Sequence, residues 1–73
     1  MIKIVKGYLP TETIIITEHI KNEIRNKVII DVKSRVITIN GYKHTQLYYH
    51  SDDIKVYAKI LIDRINEHKI KNI

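Results

Sequence analysis

The sequence predicts an α+β fold, in which a small antiparallel meander of strands is covered by a C-terminal helix. Asn40-Gly41 stands between two segments of alternating polar and apolar residues, which is the strongest short-range signal for a β-hairpin. An apolar stripe with helical spacing runs from Ile54 to Ile65. The 73 residues suffice for a single compact domain over 1–73. Stability at this length is marginal unless packing is good or a second subunit helps, so a homodimer is one expectation.

The N-terminal third predicts a first strand and then an ambiguous segment. The strand covers residues 2–8, and Pro10 ends it because proline has no N–H for a sheet. Residues 11–26 are compatible with a helix, whose apolar stripe would consist of Thr13, Ile16, Ile20 and Ile24. Five consecutive β-branched residues over 13–17 favour a strand instead. We expect a strand over 12–18 and a short helical or turn segment over 19–26, with a helix over 11–26 as the alternative.

The middle of the chain predicts two hairpin strands and a third that follows them. Apolar residues alternate from Val28 to Val32, Lys33-Ser34 turns the chain, and a strand follows over 35–39. The Asn40-Gly41 turn then starts a strand from Tyr42 towards Tyr49. A two-residue turn places Ile39 opposite Tyr42 and Ile37 opposite His44, on the same face as Val28 and Ile30. We expect a bulge or strand end near residues 45 and 46, because Leu47 and Tyr49 would otherwise point outward.

The last helix is predicted over about 51–69. Ser51 is the expected N-cap, and Asp52 and Asp53 would lie in the first turn, where the helix dipole favours carboxylates. Its inward stripe consists of Ile54, Tyr57, Ala58, Leu61 and Ile65. Its solvent side carries Lys55, Lys59, Asp63 and Glu67.

Composition limits the classes of function. The net charge is +5 and the sequence pI is about 9.6, so a nucleic-acid partner has to be considered. Seventeen isoleucines and ten lysines are also typical of an AT-rich genome, such as that of a phage or mobile element, which would explain the charge without a function. The absence of cysteine predicts a cytoplasmic protein. No apolar run is long enough for a membrane span.

Residues typical of catalysis or metal binding do not form a recognisable pattern. The four histidines match no ligand spacing, and the two glycines cannot form a phosphate-binding loop. Ser34 and Ser51 have turn and cap explanations. We therefore expect no enzyme activity, no catalytic residue, no metal and no cofactor.

The richest cluster for binding is residues 41–50, which combine tyrosine, histidine, lysine and glutamine. Such side chains are enriched at protein interfaces and also hold single-stranded bases. The predicted partner-binding residues are Tyr42, Lys43, His44, Tyr48 and Tyr49. The alternative nucleic-acid site consists of Lys33, Arg35, Lys43, Lys55 and Lys59. A purely structural alternative is that Tyr42 and Tyr49 pack under the helix and only Tyr48 is displayed.

If residues 11–25 were helical, the element order would resemble double-stranded-RNA-binding domains. The segment 55–59, Lys-Val-Tyr-Ala-Lys, resembles the phosphate-binding motif of their last helix at three of four positions and departs from it at Val56. Segment 41–44 loosely resembles the glycine and catalytic histidine of a family of small RNA-cleaving toxins with that topology. These resemblances imply RNA binding, or metal-independent RNA cleavage as a remote alternative. The leading prediction is a non-enzymatic binding module with a protein partner, and nucleic-acid binding is the alternative.

Overall fold

A computed structural model of the chain describes residues 1–8, 10–44 and 53–67. Five strands and one helix follow each other along the chain: β1 (Ile2–Gly7), β2 (Thr13–Ile20), β3 (Glu23–Asp31), β4 (Val36–Ile39), β5 (Tyr42–His44) and α1 (Ile54–Asn66). The strands form an antiparallel sheet in the order β1-β2-β3-β4-β5, so neighbours in sequence are neighbours in space. The predicted α+β fold, an antiparallel meander covered by a C-terminal helix, is confirmed.

Segment 11–26 belongs to two strands. The predicted strand over 12–18 is confirmed, and β2 continues to Ile20. The helical or turn segment predicted over 19–26 reduces to a tight turn of Lys21 and Asn22, since β3 begins at Glu23. The helical option for this segment and the alternative helix over 11–26 are wrong. Both turn residues have positive φ, 52° and 67°, which suits a two-residue hairpin. The β-branched residues 13–17 form a strand rather than a helix, because each of them pairs with both β1 and β3.

The second tight hairpin confirms the predicted register. Asn40 and Gly41 have φ values of 49° and 91°. Ile39 pairs with Tyr42 and Ile37 with His44, so these two β5 residues lie on the same face as Val28 and Ile30. The predicted continuation of this strand towards Tyr49, and the bulge near residues 45 and 46, lie outside the described residues.

Helix α1 is shorter than the predicted range of 51–69. Its N-cap is Asp53, whose Oδ1 accepts hydrogen bonds from the backbone N–H groups of Lys55 at 3.1 Å and Val56 at 3.3 Å. The prediction that Asp53 lies in the first turn is therefore wrong: its side chain satisfies backbone donors that the helix itself cannot pair. Ser51 and Asp52, the predicted cap and first-turn residue, lie outside the described residues.

The core lies between α1 and one face of the sheet. Alternating residues of β2, β3 and β4 meet the apolar stripe of the helix, and the buried set is Ile14, Ile16, Val28, Ile30, Ile37, Ile39, Ala58, Leu61, Ile62 and Ile65. The predicted stripe is confirmed, since Ile54 and Tyr57 also pack against this core. Ile62 was absent from the prediction and is fully buried, because it lies four residues after Ala58 and widens the same helix face.

Candidate functional site: the open face of the sheet

The predicted partner-binding residues are divided by the pleat of β5. Tyr42 and His44 lie on the helix side of the sheet, where Tyr42 is 49% exposed and His44 is partly buried. His44 Nε2 is buried without a hydrogen-bond partner in the described part of the chain. Lys43 lies on the opposite side, since successive strand residues alternate. Tyr48 and Tyr49 fall outside the described residues, so this predicted set remains a hypothesis.

The predicted nucleic-acid residues are distributed over both sides of the molecule. Lys33 and Arg35 are exposed in the turn between β3 and β4. Lys55 and Lys59 are exposed on α1, which covers one side of the sheet, whereas Lys43 lies on the other. The structure therefore does not bring these five cations together on one face.

The sheet surface opposite α1, here called the open face, carries an aliphatic row. Val5 of β1 pairs with Ile15 of β2, and Ile15 pairs with Ile29 of β3, so their side chains are adjacent. Val5 is 59% exposed, and the two isoleucines are partly exposed. Thr38 and Lys43 continue the same row across β4 and β5. No element among residues 1–8, 10–44 and 53–67 packs over this row.

Polar and cationic residues border the aliphatic row. On one side, Lys3, Thr17 and Lys27 pair in register across β1, β2 and β3. Thr17 Oγ1 and His19 Nε2 are 2.8 Å apart and share a hydrogen bond on this border. The charged residues of the open face are Lys3, Lys27, Asp31 and Lys43. Three lysines and one aspartate give the face a charge of +2.

A concavity of about 310 Å³ lies at the end of the open face near the β3–β4 turn, and it is lined by Thr13, Ile29, Asp31, Ser34, Val36, Thr38 and Lys43. Asp31 Oδ1 accepts hydrogen bonds from the backbone N–H groups of Lys33 at 3.1 Å and Ser34 at 3.2 Å. This carboxylate therefore shapes the turn. The exposed ammonium of Lys43 is the cation that a partner would meet at the concavity.

A polar cluster on the helix side joins the sheet to the end of α1. Asn26 is 5% exposed, and its Nδ2 donates to Glu18 Oε1 at 2.8 Å and to Asn66 Oδ1 at 3.0 Å. Asn40 Nδ2 donates to Asn26 Oδ1 at 2.9 Å, and Asn40 Oδ1 accepts from the backbone N–H of Lys27 at 2.8 Å. Asn66 Nδ2 donates to both carboxylate oxygens of Glu18. The cluster links the Asn40-Gly41 turn to the helix, and its role is structural.

The open face was missed by the sequence analysis, although a signal for it exists. Residues 14–16 and 28–30 are each three consecutive aliphatic residues in strands that alternate. A strand with one solvated face shows a strict apolar and polar alternation, whereas an apolar run indicates that both faces are apolar. These runs thus predict a second apolar surface once both segments are known to be strands.

Comparison of the chain with protein-family models, curated proteins and solved structures gave no match. Among the described residues, no helix has the length and apolar character needed to cross a membrane. The same residues contain no group of three or more histidine, cysteine, aspartate or glutamate side chains placed to hold a metal ion. The geometry of the open face is therefore the basis for assigning a function.

Proposed function

We propose that this chain is a non-enzymatic protein-binding module whose open face holds an acidic protein partner in the cytoplasm. One observation carries the proposal: the aliphatic row of Val5, Ile15 and Ile29 lies on a face that no described element covers. Contiguous apolar surface with a polar border is typical of interaction sites, whereas isolated exposed aliphatic residues are ordinary. Covering the row would contribute about 25 cal/mol for each Å² of apolar surface removed from water.

The charge of the border indicates the chemistry of the partner. Lys3 and Lys27 lie on one side of the row, and Lys43 stands at its end. A partner with an apolar centre and carboxylates around it would match this pattern, because complementary borders accelerate association and exclude wrong partners. The complex should therefore weaken as salt concentration rises.

The composition of the face favours a protein over nucleic acid. Sequence-tolerant binding of single strands uses aromatic side chains on which bases stack. The paired residues of the open face include valine, isoleucine and threonine, and neither Tyr42 nor Tyr57 lies on it. The division of Lys43 from Lys55 and Lys59 across the sheet further separates the cations that a phosphate backbone would need together.

A pair of matched charge reversals tests the proposal. Lys27→Glu/Lys43→Glu reverses two lysines of the open face, and Lys55→Glu/Lys59→Glu reverses two exposed lysines of α1 with the same change in net charge. The parent protein captures binding proteins from its host, and an acidic candidate is then purified and titrated against all three proteins. We expect the open-face variant to bind about tenfold more weakly, since each border ion pair contributes up to about 1 kcal/mol. The helix variant should bind like the parent.

The same titration with labelled single-stranded RNA and duplex DNA measures the nucleic-acid alternative. Equal loss of protein binding in both double variants would contradict the assignment to the open face. Tight, salt-sensitive binding to nucleic acid that both double variants weaken would replace the proposed function with the alternative.

Two valines of similar exposure test the apolar part of the proposal. Val5 is 59% exposed on the open face, and Val56 is 54% exposed on α1. Val5→Asp should abolish detectable binding to the purified partner, because it places a carboxylate in the aliphatic row, whereas Val56→Asp should leave binding unchanged. Equal binding by both variants would exclude the row as the contact surface.

A further inference from the structure

The outer strand β1 presents a regular set of backbone groups at the edge of the sheet. The N-terminal ammonium of Met1 donates to the carbonyl oxygen of His19 at 2.9 Å, and the His19 N–H donates to the Met1 carbonyl oxygen at 2.7 Å. Met1 and His19 thus form a hydrogen-bonded pair, and such pairs alternate along antiparallel strands. The backbone groups of Ile2, Ile4 and Lys6 consequently point away from β2, towards the edge.

This edge is available to a further strand. Within residues 1–8, 10–44 and 53–67, β1 pairs with β2 and with no other strand. A row of outward N–H and C=O groups is a template for pairing with another chain, and lysine on an edge strand often prevents such pairing. The positions of Lys3 and Lys6 in any new register therefore decide which partner strand fits.

We propose that a second copy of this chain pairs with β1 through its own β1, in antiparallel register about a two-fold axis at Ile4. In this register Ile4 faces Ile4 of the second copy, Lys3 faces Val5 of the second copy, and Ile2 faces Lys6 of the second copy. Each lysine lies opposite an aliphatic side chain, along which its methylene groups pack while its ammonium stays in water. No pair of lysines is directly opposed.

Neighbouring registers fit less well. An axis at Lys3 places two lysines directly opposite each other, which is destabilising. An axis at Val5 overlaps the same number of β1 residues, but it places Lys3 opposite Gly7, which has no side chain for the lysine to pack along, and Ile2 opposite Tyr8 of the second copy, beyond the end of β1. The axis at Ile4 makes Ile4 the central hydrogen-bonded pair and uses every outward backbone group of Ile2, Ile4 and Lys6.

The dimer uses the edge of β1 and shares only Lys3 and Val5 with the proposed binding face. A two-fold axis perpendicular to the sheet keeps the α1 helices of both copies on one side and both open faces on the other. The edge contact therefore leaves Ile15 and Ile29 uncovered and reaches the aliphatic row only at Val5, along which Lys3 of the second copy packs. Lys6 lies off the open face, and Lys27 and Lys43 lie away from β1, so variants at position 6 test the dimer alone and Lys27→Glu/Lys43→Glu tests partner binding alone.

Cysteine cross-linking tests the register directly, because the chain has no cysteine of its own. In the proposed dimer, positions 3 and 5 of opposite copies form a pair without backbone hydrogen bonds, whose Cα atoms are about 4.5 Å apart. This distance lies within the range that a disulfide spans. Lys3→Cys and Val5→Cys proteins are mixed in equal amounts, oxidised gently, and separated by mass.

The expected product is the mixed disulfide between one Lys3→Cys chain and one Val5→Cys chain, in excess over both homodimers. A predominance of Val5→Cys homodimers would place the axis at Val5 and overturn the proposed register. Cross-linking no greater than that of the same chains in denaturant would overturn the dimer.

Proline at position 6 tests the edge contact without a cysteine. The Lys6 N–H points outward, so Lys6→Pro removes a donor to the second copy but no hydrogen bond between β1 and β2. Lys6→Ala removes the same exposed side chain and keeps the donor. In sedimentation equilibrium we expect the parent and Lys6→Ala to form dimers, and Lys6→Pro to dissociate at least roughly fivefold more readily than Lys6→Ala. A parent that stays monomeric at its highest soluble concentration, or equal dimerisation of the two variants, would contradict the proposal.

Discussion

Replacing Asn26 by aspartate tests the polar cluster that holds the end of α1 on the sheet. Asn26 is 5% exposed and donates both hydrogens of its amide, to Glu18 Oε1 at 2.8 Å and to Asn66 Oδ1 at 3.0 Å. Aspartate has nearly the same shape, but an ionised carboxylate has no donor. Asn26→Asp therefore keeps the volume of the side chain, but it places a carboxylate oxygen opposite the acceptor oxygens of Glu18 and Asn66.

The size of the effect follows from the two hydrogen bonds. A net contribution of about 1.5–3 kcal/mol is typical of a bond to a charged group such as Glu18, and about 0.5–1.5 kcal/mol of a neutral bond such as that to Asn66. The hydrogen bond that Asn40 donates to the side chain at position 26 is kept, so it does not add to the loss. Repulsion between the new carboxylate and Glu18 increases the loss. We expect a loss of at least about 3 kcal/mol from a total unfolding free energy of roughly 4–11 kcal/mol for a chain of this length.

Urea denaturation followed by circular dichroism measures this loss, and Asn22→Asp is the matched control. Asn22 is exposed in the β2–β3 turn with a φ of 67°, a conformation that aspartate tolerates, so its replacement should change stability by less than about 0.5 kcal/mol. Equal unfolding free energies for the two variants at neutral pH would refute the importance of the cluster.

Two further predictions concern packing and turn geometry. Leu61→Ala should lower the unfolding free energy by about 2–5 kcal/mol, because Leu61 is 4% exposed in the core. Its control Ile60→Ala should lower it by less than about 1 kcal/mol, because Ile60 is 47% exposed. Similar melting temperatures for the two variants would mean that the inward helix face is misassigned. Gly41→Val should lower the unfolding free energy by about 1–3 kcal/mol, because Gly41 has a φ of 91°. Gly7→Ala should leave stability unchanged or raise it, because no atom lies within 4 Å of the added Cβ. Denaturant midpoints of the two glycine variants would check this order.

Short-range signals in the sequence predicted much of the fold. Asn40-Gly41 predicted a two-residue turn, because few residue pairs adopt positive φ twice in succession. A two-residue turn at this position also sets the pairing of β4 with β5. The helical stripe from Ile54 to Ile65 fixed which side of α1 faces the sheet. In both cases the residues that carry the signal are also the residues that make the contact.

The β2–β3 hairpin could not be located from the sequence in the same way. Its turn consists of Lys21 and Asn22, and lysine at positive φ is uncommon. A register shift between Glu18 and His19 also breaks the period-two pattern, so that Ile24 pairs with His19 and is 56% exposed. The position of this hairpin is determined by the pairing of residues 13–18 with residues 26–31. No short motif marks that pairing, because it depends on two separate segments together.

The N-terminus of α1 is a second feature whose boundary differs from the prediction, since the N-cap is Asp53. Ser51, Asp52 and Asp53 all suit a cap by residue type, and Ser51 was the predicted cap. The helix begins after Asp53, which places its carboxylate beside the N–H groups of Lys55 and Val56. Serine and aspartate cap helices about equally well, so residue type alone does not choose among the three positions.

The aliphatic residues of the open face have a simpler explanation that has to be weighed against binding, namely that β-branched residues favour strands wherever they stand. Threonine satisfies that preference as well, and the chain uses it on the same face at Thr17 and Thr38. Strand propensity alone would scatter valine, isoleucine and threonine over the face. Instead Val5, Ile15 and Ile29 stand side by side in one row across three strands. Lys3, Thr17 and Lys27 border it on one side, and Thr13, Asp31 and Val36 on the other. Contacts between neighbouring members of the row stabilise the sheet. They leave Val5 59% exposed, and α1 covers only the opposite face, so the outer surface of the row is the part that a partner would cover.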